Sequence, residues 1–210
     1  MTLYLIRHAE PDYENDTLTQ NGITQAKKLA LWFKDIKLDQ LFYSDSNRNK
    51  LTASFIEKEC NLCSSKVEWA DSNRNSKKPL SPWKIKDKII KETGTVPDGD
   101  DWKNIPEFKN DNVVQNIEKH IRQFDDFLLS AGFKHENKLF KVIKNDDRNI
   151  AVVCHGGAIA VIVSHLLSIS FFQLITHVEF LPASVTKIEL SGPQNSYTAA
   201  KLIYLNQNII

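Results

Sequence analysis

The sequence predicts an α/β fold: a mostly parallel central sheet with helices on both faces and an inserted lid segment. Three observations lead there. Two short runs, Thr2-Leu3-Tyr4-Leu5-Ile6 and Ile150-Ala151-Val152-Val153, are apolar without alternation, as strands buried on both faces are. Helical three-four patterns separate such runs. Each run also ends beside a histidine, in Arg7-His8-Ala9 and in Cys154-His155-Gly156-Gly157. Open α/β sheets bind ligands at the carboxyl ends of their strands, so two strand-terminal histidines suggest one site.

The elements follow in order. After the first strand comes a polar loop from Glu10 to Thr17. Thr19 is then suited to cap a helix in which Ile23, Ala26, Ala30 and Phe33 share one face. Asp39 to Tyr43 reads as a short strand ending at Ser44, and a second helix runs through Leu51 to Ile56. Residues 72–112 are rich in Asn, Lys, Asp and Pro and show little periodicity. A stretch this long is usually a functional lid or disordered, and Trp83 and Trp102 argue for something packed. The clearest helix carries Val114, Ile117, Ile121, Phe124, Leu128 and Ala131 on one face, with Gly132 where a C-terminal cap belongs. The strand at 150–154 runs through His155-Gly156-Gly157 into an apolar helix, Ala158 to Leu167. Ser184 to Leu190 and Ala200 to Leu205 form a late strand pair about a turn near Gly192-Pro193.

Bulk properties exclude several classes. The 210 residues suit one domain, and 27 Lys and Arg against 26 Asp and Glu give a net charge of +1. No long-range field favours nucleic acid, so any anion site must be local. No apolar stretch approaches the roughly 20 residues that span a bilayer. A strand from the second residue leaves no room for a signal peptide. Cys60, Cys63 and Cys154 cannot all pair internally, which favours a reducing compartment, so the expected location is cytoplasmic. The Cys60-Asn61-Leu62-Cys63 spacing lacks two further ligands for zinc and does not follow a strand as a redox pair would.

Two histidines and two arginines at a sheet edge suit phosphoryl transfer. The guanidinium forks of Arg7 and Arg48 match phosphate oxygens and stay charged. A neutral imidazole can attack phosphorus, dividing one difficult displacement into two. The second can hydrogen-bond a non-bridging oxygen in the transition state. The Gly156-Gly157 turn opens a helix and offers backbone N–H groups to the same anion. No metal or other cofactor is required. His120, His135, His165 and His177 read as structural, Lys77, Lys78 and Lys84 as solvated, and Trp83 and Trp102 as packing residues.

These motifs carry a resemblance. Arg7-His8-Ala9-Glu10 with Leu18-Thr19-x-x-Gly22-x-x-Gln25-Ala26 resembles the histidine phosphatase superfamily, also called phosphoglycerate-mutase-like. Ser44-Asp45-Ser46-Asn47-Arg48-Asn49-Lys50-Leu51-Thr52-Ala53 is similar to its second block, and Cys154-His155-Gly156-Gly157 to its third. Phe124 to Leu128, Ser164 to Leu167 and Leu181 to Thr186 resemble a bacterial-type branch of small phosphatases. The resemblance implies one domain over residues 1–210, with an insertion or lid at about 72–112. It implies His8 as nucleophile, with Arg7, Arg48, His155 and Gly156 holding the phosphoryl group. The family's carboxylic acid falls best on Asp71 and second on Glu68; Asn73-Arg74-Asn75 offers an amide instead. Asp45 stands where the family has proline, Asn49 where it has alanine, Leu51 where it has glutamine. Glu14 holds the place of a family asparagine that Asn15 meets only if the loop shifts.

The function so implied is a metal-independent phosphatase, a phosphoric monoester hydrolase working through a phosphohistidine on a small phosphate ester or phosphoprotein. A phosphoglycerate-type mutase and a catalytically impaired phosphate-binding or scaffold protein are the alternatives. Neither nucleic acid nor membrane is an expected partner.

Overall fold

The computed structural model describes residues 1–71, 82–110 and 112–209. Asn73-Arg74-Asn75, Lys77 and Lys78 lie outside them. In chain order the elements begin β1 (Thr2–Arg7), β2 (Pro11–Asp12), β3 (Thr17–Leu18), α1 (Gln20–Phe33), β4 (Gln40–Tyr43), α2 (Asn47–Cys60) and β5 (Ser64–Lys66). Next come α3 (Pro82–Thr93), a 3-10 turn (Asp101–Asn104), α4 (Pro106–Asn110), α5 (Val113–Ser130), β6 (Phe133–Glu136) and β7 (Leu139–Val142). The chain then forms β8 (Asn149–Cys154), α6 (Gly156–Leu167), α7 (Phe171–His177), β9 (Val185–Glu189), β10 (Tyr197–Thr198) and β11 (Lys201–Gln207).

Six strands form the main sheet in the order β11-β9-β1-β8-β4-β5. The β5-β4-β8-β1 half is parallel, while β9 runs antiparallel to β1, and β11 antiparallel to β9. This is the mostly parallel sheet with a late hairpin that the sequence predicts. The two central strands are buried on both faces because their side chains alternate between two apolar layers. Leu3, Leu5, Ile150 and Val152 join one core with Phe124, Leu128, Ile159 and Phe172. Tyr4, Ile6, Ala151 and Val153 join the other with Ala26, Ala30, Phe33 and Ile56. Each fully buried aliphatic side chain contributes about 1.5–3 kcal/mol, so this strand pair anchors the fold. Register sets Arg7 opposite Cys154, which brings the two histidines to the same sheet edge.

Local signals explain the helix boundaries. Thr19 caps α1, its hydroxyl accepting from the Gly22 N–H. Ser46 caps α2 in the same way through Asn49 N–H, so this helix starts four residues before Leu51. Gly132 follows α5 with φ +95°, a conformation that disfavours any side chain. A Cβ there would also stand 2.2 Å from the Lys144 carbonyl oxygen.

Two features exceed the sequence reading. Phe133–Glu136 and Leu139–Val142 pair as an antiparallel hairpin, joined through Asn137 and Lys138, both at positive φ. This two-residue turn carries lysine where glycine usually announces it. Residues 82–110 are mostly helical, and Trp102 is buried in the core against Phe108 and Phe171. No helix of the described residues is long and apolar enough to cross a membrane.

Candidate active site

His8 leaves β1 where its backbone N–H meets the Cys154 carbonyl (3.0 Å) at the end of β8. Its ring is 2% exposed, and Nδ1 lies 2.8 Å from the Ala9 carbonyl oxygen. A carbonyl only accepts, so Nδ1 carries a proton, and in the neutral form of the ring the lone pair is on Nε2. That is the state a nucleophile needs.

The motif around His8 is a clamp on this loop. The Thr52 hydroxyl accepts from Ala9 N–H (3.1 Å), and the Gln25 side-chain oxygen accepts from Glu10 N–H (2.8 Å). Glu10 in turn accepts from the Thr19 hydroxyl (2.6 Å) and the Asn21 amide (2.7 Å). Gly22 lets helix α1 press against the loop: a Cβ there would stand 2.2 Å from the Glu10 carbonyl oxygen. From the other side, Ala183 N–H reaches the carbonyls of both Arg7 (3.1 Å) and His8 (3.2 Å). Ala183 does so in a left-handed conformation, φ 55°.

Around His8 the walls are basic. His155 stands edge-on to it, ring centroids 5.3 Å apart. Arg7 is anchored by its Nη1 to the Phe180 carbonyl, while Arg48 pairs with Asp16 and lies over the Tyr13 ring. Burial opposes ionisation of Asp16, but the Asn47 N–H and the Arg48 charge outweigh it and hold the carboxyl below its ordinary range. Nε of both arginines is buried with no hydrogen-bond partner among the described residues. Gly156 opens α6 without a side-chain cap, so the first amides of that helix point into the cleft. A Cβ on Gly156 would meet Arg7 Cδ at 3.6 Å, which is how the guanidinium stem packs beside the helix start.

Each ring nitrogen of His155 meets a neighbour. The Asn49 amide nitrogen donates to Ser44 Oγ (2.6 Å) and meets His155 Nε2 at 3.0 Å. Arg48 Nη2 meets His155 Nδ1 at 3.3 Å, and since a guanidinium only donates, Nδ1 accepts in that bond.

The cleft so formed has a volume of about 540 Å³ and includes Arg7, His8, Arg48, His155 and Gly156 in its walls. The structure brings these five predicted residues together. Asp71 is not in the wall; its N–H bonds the Glu68 carbonyl (3.0 Å) beyond β5, near Lys66. Glu68 is exposed on the same turn. Asp45 turns away to Lys66 (2.7 Å), and Asn15 bonds Asp12 (2.8 Å), so neither enters the cleft. Trp83 and Lys86 of α3 line its outer wall with Glu179, and Lys84 is exposed. Sequence reasoning missed Asp16, Tyr13, Asn49 and Glu179. For Asn49 a signal existed, since it departs from the motif next to Arg48.

An edge of basic side chains and helix-terminal amides at the carboxyl ends of parallel strands defines a phosphate-handling α/β protein. Residues 3–71 match the model of the histidine phosphatase superfamily (branch 1). No curated protein matches the chain as a whole. Among solved structures, a mycobacterial glucosyl-3-phosphoglycerate phosphatase superposes with TM-score 0.64 at 17% identity, covering 98% of each chain. A phosphoserine phosphatase variant from Entamoeba histolytica gives TM-score 0.65 at 19% identity over 99% of this chain and 98% of the other. The α-ribazole phosphatase of Shigella flexneri gives 0.59 at 19% identity over 99% and 97%. The family model thus matches the first third of the chain, and the likeness to these solved structures shows the shared fold over its whole length.

Proposed function

We propose that the chain is a phosphatase that hydrolyses a small phosphate ester through a phosphohistidine, by metal-independent chemistry. The observation that carries this reading is the gathering of Arg7, Arg48 and His155 around the buried ring of His8 in one cleft. His8 Nε2 attacks phosphorus, and the ester P–O bond breaks as the leaving oxygen takes a proton. Water then attacks the phosphohistidine and gives its own proton back to the same acid, releasing inorganic phosphate and His8. Arg7, Arg48, His155 and the Gly156 amide hold the equatorial oxygens throughout.

Asp71 is the acid that the family resemblance implies. Glu179 is a second candidate, because its residue lines the cleft. In the lid reading, helix α3 covers the cleft, with Trp83 packed on Gly157 and Lys86 beside it. A cleft of about 540 Å³ suits a metabolite. The fold neighbours named as phosphatases of phosphoserine, glucosyl-3-phosphoglycerate and α-ribazole phosphate support that class. Its partner in this reading is the small phosphate ester, with neither nucleic acid nor membrane, and its place the cytoplasm.

Hydrolysis of aryl and alkyl phosphates in the presence of a chelator tests the proposal. His8→Ala should abolish turnover while preserving the circular dichroism spectrum; undiminished turnover would remove the phosphohistidine. Asp71→Asn should slow alkyl esters far more than activated aryl esters, which need little proton assistance. The same split in Glu179→Gln, with Asp71→Asn unaffected, would transfer the role.

A further inference from the structure

Three side chains from three elements converge well away from the cleft. Asp125 lies on α5, His135 on β6 and His165 in the last turn of α6. His165 Nε2 is 2.7 Å from one Asp125 oxygen, and His135 Nδ1 is 3.9 Å from the other. The two imidazoles meet at 4.5 Å between centroids, with planes at 68°. One donor atom from each residue lies within 4.8 Å of the others. Atoms that close share a centre at about 2.8 Å or less, against about 2.0–2.2 Å for zinc bonds to imidazole and carboxylate. Side-chain rotations of under about an ångström close that gap.

Two histidines on one carboxylate are more than an ion pair requires. His135 Nε2 is buried with no hydrogen-bond partner among the described residues. His135 and His165 also line a second cavity, of about 410 Å³, whose walls include Ser164, Ser168 and Lys103. From this geometry we infer that Asp125, His135 and His165 bind one first-row divalent transition-metal ion of the zinc class. The donor set, two imidazoles and one carboxylate, suits zinc, cobalt or nickel better than magnesium or calcium. The fourth coordination position faces the cavity and takes water. The ion sits at the carboxyl end of α6, where a cation is favoured by the helix dipole. It fastens the β6–β7 hairpin to α5 and α6.

Equilibrium dialysis of the full chain, stripped with a chelator and then exposed to Zn²⁺, tests this, with Co²⁺ as the spectroscopic probe. The expected result is one ion per chain, visible absorption of four-coordinate cobalt, and a thermal midpoint raised by zinc. Affinity should fall at least about 100-fold in His165→Ala and in Asp125→Asn. If either variant fails to fold, His135→Ala must show the same loss, since that residue lies on a surface hairpin. The His8→Ala, His155→Ala double variant should bind zinc as the parent does. Binding weaker than about 1 mM, binding unchanged by the three cluster substitutions, or binding lost in the double variant would each overturn the assignment.

Discussion

Helix α6 ends on a histidine at each terminus, and the two are put to opposite uses. His155, at the amino end, has the Asn49 amide on one ring nitrogen and the Arg48 guanidinium on the other, with Arg7 in the same cleft. His165, at the carboxyl end, has a carboxylate on Nε2 and a second imidazole edge-on to it. The first set of neighbours calls for an anion and the second for a cation. The helix dipole favours each charge at its own end. A histidine's chemistry is thus set by what meets its nitrogens, and residue type alone does not reveal it.

The substitution with the largest expected effect removes the amino end's charge. Arg48→Ala should lower kcat/KM by about 10²–10³-fold, roughly 2.7–4 kcal/mol of transition-state stabilisation. It should also weaken inorganic phosphate as an inhibitor and leave zinc binding at the other end unchanged. Phosphate inhibition that survives would break the contrast between the two termini.

Gly132→Ala probes the carboxyl end. The new Cβ would have to displace the Lys144 carbonyl, now 2.2 Å from its position, at a residue with φ +95°. Denaturant unfolding should show a loss of about 2 kcal/mol, between the cost of a strained φ and that of an overpacked contact. Zinc affinity should fall as the hairpin carrying His135 shifts, while KM for an aryl phosphate holds.

Asn49→Ala gives the smallest change. It should lower kcat roughly tenfold, about 1.4 kcal/mol, with KM nearly constant and the pH profile altered. The ring of His155 stays but loses the amide that meets its Nε2. A rise in KM at unchanged kcat would make Asn49 a mere wall of the cleft.

Much of this could be read in the sequence, for reasons that differ by region. Thr2–Ile6 and Ile150–Val153 are apolar at every position, which two buried faces require, so the central sheet and the placing of His8 and His155 followed. Glu10, Thr19, Gly22 and Gln25 recur as a motif because each closes one bond or one close approach of the same clamp. The β6–β7 hairpin went unread because its turn uses Asn137-Lys138 without glycine. His135 and His165 read as structural because residues 30 apart show no spacing that links them; only the packing of α5, β6 and α6 does. Asp71 was expected by spacing from Arg48, and spacing does not say whether a side chain beyond the edge strand faces the cleft.

The residues of the cleft come from positions 7, 8, 48, 155 and 156, and the anchor for Arg7 from position 180. Residues 3–71, which match the family model, hold three of these six positions. On the proposed reading the phosphate site is complete only once β8 lies between β1 and β4, a pairing that closes loops of more than a hundred residues. Long closures of that kind form late in folding. If the cleft holds phosphate as proposed, its affinity would be a report on completed topology and not on any one segment of the chain.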